Sequence, residues 1–299
     1  MKSKSSNKGL AAAQRRTSLI YMAPACILIT VFILLPFILS VYYSFTNKML
    51  VPKAGKSTEF VGFANYIKVF TNSATAKSFV NTGIYALMVV PAIIILGTLL
   101  AVFVNKPLKG VKTFRAIYFS PQIVTMTVVA VVWSFILSPN DTGIMNSLLS
   151  KFGIPAQSWL QDSRLALFSI AIMYIWQTLG MEMLIILGGL QYIPLEVYEA
   201  ADLDGCSGVQ RFVRITVPLL KNTMVYVMLS VTINTLKLFT QVYMLTNGGP
   251  KNATTSVIYQ LYKVGFMNNQ QGFSSAIAVV FFVIVLGISL LQNYLMRDK

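Results

Sequence analysis

Residues 196–220 read EVYEAADLDGCSGVQRFVRITVPLL. Four of the chain's nine acidic residues, Glu196, Glu199, Asp202 and Asp204, fall at the start of this stretch. The rest of the 299-residue chain has the opposite character: formal net charge +15, 56% hydrophobic residues and only 11% charged ones. Soluble domains carry about 25% charged residues. With a mean hydropathy of +0.68, the chain belongs to the membrane class. The acidic stretch is then a polar connection between two long apolar runs, and the fold depends on what those runs are.

A spanning helix needs roughly 20 mostly apolar residues. Six segments qualify: 18–45, 79–104, 114–137, 165–190, 216–245 and 273–296. They are too long for barrel strands of about 10 residues, and open strands leave unpaired backbone groups in lipid. The expected fold is all-α, a polytopic bundle of six transmembrane helices. The first run is too long for a signal peptide and contains Pro24 and Pro36, so it is expected to be retained.

Several functions are excluded at this level. The positive charge is scattered over the connections between apolar runs, which is how orientation signals are written and not how a nucleic-acid surface is built. There is no His, and the two cysteines, Cys26 and Cys206, lie far apart. No metal site, Ser–His pair or Cys–His pair is expected. No G-x-x-x-x-G-K-[ST] phosphate loop is present, so the chain is not expected to hydrolyse ATP.

With the N-terminus in the cytoplasm, fourteen Lys and Arg lie inside, in the tail, 105–115, 191–221 and the C-terminus, against nine in the outside connections. That agrees with the positive-inside bias, although five lysines between Lys48 and Lys77 weaken it. Both termini and the acidic stretch are then cytoplasmic. Lys237 lies inside a span.

Locally, the acidic stretch reads as two short helices and a turn. Pro194 suits a first helical position and Glu196 the positive end of a helix. Leu195, Tyr198 and Ala201 share a face, Gly205 supplies a stop, and Ser207 is placed to cap a second helix. Pro218 restarts the next span, and Ala200 and Ala201 leave room for another surface to approach.

The pattern E-A-A, three residues, Gly, nine residues, I-T-V-P resembles the loop of permease subunits of binding-protein-dependent ABC importers, with Val217 in place of the family's Leu. A second stretch, LTNGGPKNATTSVIYQLYKVGF at 245–266, is a strong turn on its own chemistry (Asn247, Gly248, Gly249, Pro250). With Thr255, Tyr262 and Phe266 it is similar to a loop of the carbohydrate-uptake permeases.

The resemblance covers roughly residues 79–296. It implies the type I importer fold, a bacterial or archaeal cell membrane, and half of a translocation path for a carbohydrate, in particular an oligosaccharide. A permease for glycerol phosphate or another polar solute is the alternative, with a secondary transporter behind it. Implied partners are a second permease subunit, an ATPase dimer that binds ATP and Mg, an outside solute-binding protein, the lipid bilayer and the sugar; the chain itself has no cofactor. Glu199, Ala200, Ala201, Asp204, Gly205 and Pro218 carry over as residues that couple to the ATPase. The implied organisation is a basic tail at 1–17, a first helix and outside loop at 18–78, and a permease domain at 79–296 with its coupling loop at 194–220.

Polar groups at membrane depth are costly and mark candidate solute contacts. These are Trp176, Gln177 and Glu182 in the fourth span and Asn234, Lys237 and Gln241 in the fifth, with Thr232 nearby. Asn234, Lys237 and Gln241 lie near one helical face. Two readings stay open: Glu182 and Lys237 pair across the helices and fix packing, or the set forms a solute-contacting wall. Trp176 is equally suited to anchoring at the membrane interface.

Overall fold

The computed structural model describes residues 17–53, 55, 57–106, 109–141 and 143–296. The expected basic tail lies outside them except for Thr17. The described residues form helices and no β-strand, with one isolated bridge between Thr46 and Phe60. Five helices are long and apolar enough to cross a membrane, and a bent pair makes six if counted as one span.

In chain order the helices are α1 (Thr17–Ser44), α2 (Ala64–Thr71), α3 (Ser73–Val104), α4 (Val111–Ile123), α5 (Met126–Ile136), α6 (Ile144–Ser150), α7 (Ala166–Gln191), α8 (Leu195–Leu203), α9 (Gly208–Arg211), α10 (Lys221–Leu236), α11 (Thr240–Leu245), α12 (Val257–Tyr262) and α13 (Gln271–Met296). The expected third span is not straight: α4 and α5 meet at 101°. Val124 and Thr125 are extended at the corner, and Pro121 in the last turn of α4 has no N–H to continue the ladder. The expected fifth span is broken after Leu236, where Phe239 takes φ −141° and ψ −64°. It also starts later than expected, at Lys221, after the three-residue turn Val217–Leu219 that contains Pro218.

The chain divides into two compact units. The smaller holds the described residues up to 68 and 264–279. In it the Asn65 amide donates to the carbonyls of Ser44 (2.9 Å) and Thr46 (2.8 Å), and Phe45 lies against Phe60, Phe63 and Tyr66. Asn269 exchanges two hydrogen bonds with the Val51 backbone, and the Lys68 ammonium sits 4.3 Å from the Phe273 ring centre.

The larger unit holds the described residues of 69–263 and 280–296. Its central helix is α7, which packs along α3 and also against α4 and α10. The core comes from Tyr85, Val89 and Ile93 of α3, Ile170, Met183 and Ile186 of α7, and Val227 and Val231 of α10. At Gly180 the backbones of α7 and α4 approach so closely that an added Cβ would overlap the Tyr118 carbonyl oxygen. Small residues at such crossings are how membrane helices gain packing contact. The turn at 247–255 is tied to α3: the Asn81 amide donates to the carbonyls of Asn252 (2.8 Å) and Thr255 (3.0 Å), and Thr255 Oγ1 donates to the Gly248 carbonyl (3.0 Å).

Candidate functional site

The acidic segment folds on local rules. Pro194 is the N-cap of α8, one position before the first helical residue where it was expected, and Glu196 lies in the first turn. The helix ends in a Schellman turn: the Cys206 N–H donates to the Ala201 carbonyl (3.0 Å) and the Gly205 N–H to the Asp202 carbonyl (3.2 Å). Gly205 has φ +72°, a conformation that costs an L-residue because of its Cβ. Asp204 is the C-cap. Ser207 opens α9 with a reciprocal capping box to Gln210.

One ion pair clips the two short helices together. Arg211 donates to Asp202 Oδ1 at 2.6 Å, and its guanidinium stands 5.7 Å from the Tyr198 ring centre. Of the expected shared face, Ala201 is buried, Tyr198 is partly covered and Leu195 is exposed. Glu199, Ala200, Asp204, Gly205 and Pro218 are exposed, and the apolar Leu203 and Val209 project to 89% and 74% exposure. Solvated charges beside bare apolar tips suit a surface that another protein covers.

A cavity of about 490 Å³ lies between α3, the α4–α5 corner, α7 and α10. Of the expected path residues, Gln177, Glu182, Asn234 and Lys237 line it. Trp176 and Gln241 do not. Trp176 is 47% exposed beside Trp133, ring centres 5.7 Å apart. Gln241 is buried in α11, because the break after Leu236 ends the helical phase that would have aligned it with Asn234 and Lys237. Thr232 instead accepts from the Gln292 amide (2.9 Å). Glu182 and Lys237 share the cavity without an ion pair between them.

The corner itself supplies Gln122, Val124, Thr125 and Met126 to the lining, and α7 adds Tyr174 and Thr178. Sequence reasoning missed these. Tyr174, Thr178 and Glu182 recur at fourth positions along one face, a signal that was available; the corner residues carried none. The Gln177 amide donates to the Val124 carbonyl at 3.0 Å, which satisfies a backbone group that the bend has freed. Three buried oxygens here have no hydrogen-bond partner: Tyr85 Oη, Gln177 Oε1 and Glu182 Oε2. Tyr174, also in the lining, has its ring centre 6.1 Å from that of Tyr85. Each such orphan costs about 1–3 kcal/mol, so a native chain keeps few of them without a use.

Residues 63–299 match the family described as binding-protein-dependent transport system inner membrane component, and the chain belongs to it. It is a permease subunit of an ABC importer. Similar relatives include the sulfoquinovosyl glycerol transport permease SmoG of Agrobacterium fabrum, 31% identical over 95% of this chain and 92% of that protein. Another is the trehalose/maltose transport permease MalF of Thermococcus litoralis, 34% identical over 89% of each chain. The fold is shared with a chain of the crystal structure of a bacterial ABC transporter that imports the acidic polysaccharide alginate: TM-score 0.82, 23% identity, 96% of this chain and 98% of that one.

Proposed function

We propose that this permease carries a carbohydrate, an oligosaccharide in particular, through the cavity between α3, α7 and α10. The observation that carries the reading is the cavity lining: amide, hydroxyl, carboxylate and ammonium groups set into an otherwise apolar bundle. Relatives that cover most of the chain and are named for sugar transport support it. One chain supplies half of the path, with a second, different permease closing the other side. A solute-binding protein delivers the sugar from outside. ATP and Mg are bound by a separate ATPase dimer, which docks on α8 and the Gly205 turn. Glu199, Ala200, Ala201, Asp204 and Gly205 shape that docking surface, and Pro218 sets the return into the membrane. ATP-driven closure then rocks the two permeases between outward and inward access. Both termini and α8 face the cytoplasm. The tail is 1–17, the first helix with its outside loop is 18–78, and the permease domain is 79–296 with the coupling loop 194–220.

ATP-dependent uptake of labelled oligosaccharides into proteoliposomes, with the partner permease, ATPase and binding protein supplied, tests the transport reading. Absence of uptake for every carbohydrate would sink it. Cysteine labelling in intact cells tests orientation: a cysteine at Asn252 reacts from outside, and one at Gly208 reacts only after permeabilisation.

A further inference from the structure

We propose that Gln177 and Glu182 form an acceptor wall that selects solutes presenting neutral hydroxyl donors and turns away solutes that bring an anionic group to the α7 side of the cavity. This rests on the carbohydrate reading above and narrows it. Both side chains line the cavity, and both are buried, at 4% and 8% exposure. Gln177 has already committed its N–H to the Val124 carbonyl, which leaves Oε1 as an unpartnered acceptor. Glu182 Oε2 is likewise unpartnered, and Lys237, which shares the cavity, does not pair with it. Neither Gln177 Oε1 nor an ionised Glu182 carboxylate can be satisfied by a phosphate or carboxylate oxygen, which has nothing to donate. A hydroxyl satisfies either.

The spacing points to more than one donor. The two residues are five positions apart along α7, about 7.5 Å of axial rise. A single small diol does not cover that distance, whereas hydroxyls spread over a sugar ring or over two linked rings do. On α10, Lys237 and Asn234 offer N–H donors to the same space. The cavity is therefore bipolar, with acceptors on α7 and donors on α10. A sugar hydroxyl both donates and accepts, so one ring can serve both sides. An anionic group is accommodated only against α10, and it leaves the α7 acceptors bare.

The test uses the assembled importer in nanodiscs without the binding protein, so that the binding protein's own selectivity does not enter. Maltotriose and arabinotriose are neutral probes; an alginate trisaccharide and sn-glycerol 3-phosphate are anionic ones. Binding is read by saturation-transfer NMR. The wild type should favour the neutral probes by about tenfold or more, the value of one hydrogen bond to a buried charge. Glu182→Gln keeps an acceptor and the volume. It should raise the anionic-to-neutral binding ratio, because the carboxylate's repulsion is removed. Glu182→Leu and Gln177→Met should each lower neutral binding about tenfold in complexes that still co-elute as one assembly. Wild-type preference for the anionic probes, wild-type binding by Glu182→Leu, or no binding of any probe overturns the acceptor wall. If sugar uptake in proteoliposomes persists in those cases, the carbohydrate reading stands and only this inference falls. If uptake is absent too, both fall.

Discussion

Two polar regions of this chain obey different rules. In the segment from Pro194 to Thr216 the polar groups find partners inside the segment itself: Gly205 with Asp202, Cys206 with Ala201, Ser207 with Gln210, Arg211 with Asp202. Around the cavity, polar groups arrive from α3, α7 and α10, far apart in the chain, and three of their oxygens, on Tyr85, Gln177 and Glu182, stay unpartnered. The first region is finished by its own sequence and offers a surface. The second is finished only by what enters it. A docking element must hold its shape before its partner arrives, whereas a binding cavity must keep hydrogen-bonding capacity in reserve.

The comparison breaks most visibly at Gly180. A side chain there must force the backbones of α7 and α4 apart, so Gly180→Leu should remove the cavity along with the packing. Overpacking costs about 1–3 kcal/mol where neighbours can relax, and backbone yields less than side chains. The expected outcome is a large loss of folded protein, read as the monodisperse yield after detergent extraction. An unchanged yield and melting temperature would mean that the cavity does not depend on this close approach.

Gly205→Val sharpens the contrast from the other side. A β-branched residue at φ +72° costs about 1–3 kcal/mol, and nothing lies within 4 Å of the added Cβ. The damage should therefore stay local: the chain inserts and assembles, while transport-linked ATPase activity falls several-fold. Normal uptake by this variant would detach the turn from coupling.

Ser207→Ala removes half of the capping box and should cost about 1 kcal/mol, seen as faster amide exchange over 208–216 with α7 unaffected. The smallest effect belongs to Arg211→Gln. Its pair with Asp202 is 37% and 59% exposed, and exposed pairs contribute about 0–1 kcal/mol. A melting-temperature shift near the limit of detection is expected. A large one would mean that α8 and α9 depend on each other more than their local bonds imply.

What was legible in the sequence follows the same division. The acidic stretch announced its helices, its glycine stop and its serine cap because each signal lies within four residues of what it satisfies. The long spans were legible from length and apolarity. The corner between α4 and α5 was not: Pro121 was visible, but proline is tolerated in membrane helices wherever the freed backbone groups find partners, and the side chain that bonds the corner carbonyl of Val124, Gln177, lies more than fifty positions away. The break between α10 and α11 carries no proline or glycine, so Gln241 was placed on a face that the chain does not continue. Glu182 and Lys237 were found through the cost of charge in lipid. Tyr85 was not, because a hydroxyl in an apolar run resembles ordinary packing.

Between Arg211 and Val217 the helix widens into a π turn over Phe212–Thr216, closed by the Val217 N–H on the Phe212 carbonyl. A π turn is an α-helical turn that has absorbed one extra residue. The chain thus stores a single-residue length reserve between the Gly205 turn and the span that follows. Deleting one residue within 212–216 should let the turn relax to α geometry and leave both flanks in phase, while the same deletion at 204–207 would erase the Schellman turn or the cap.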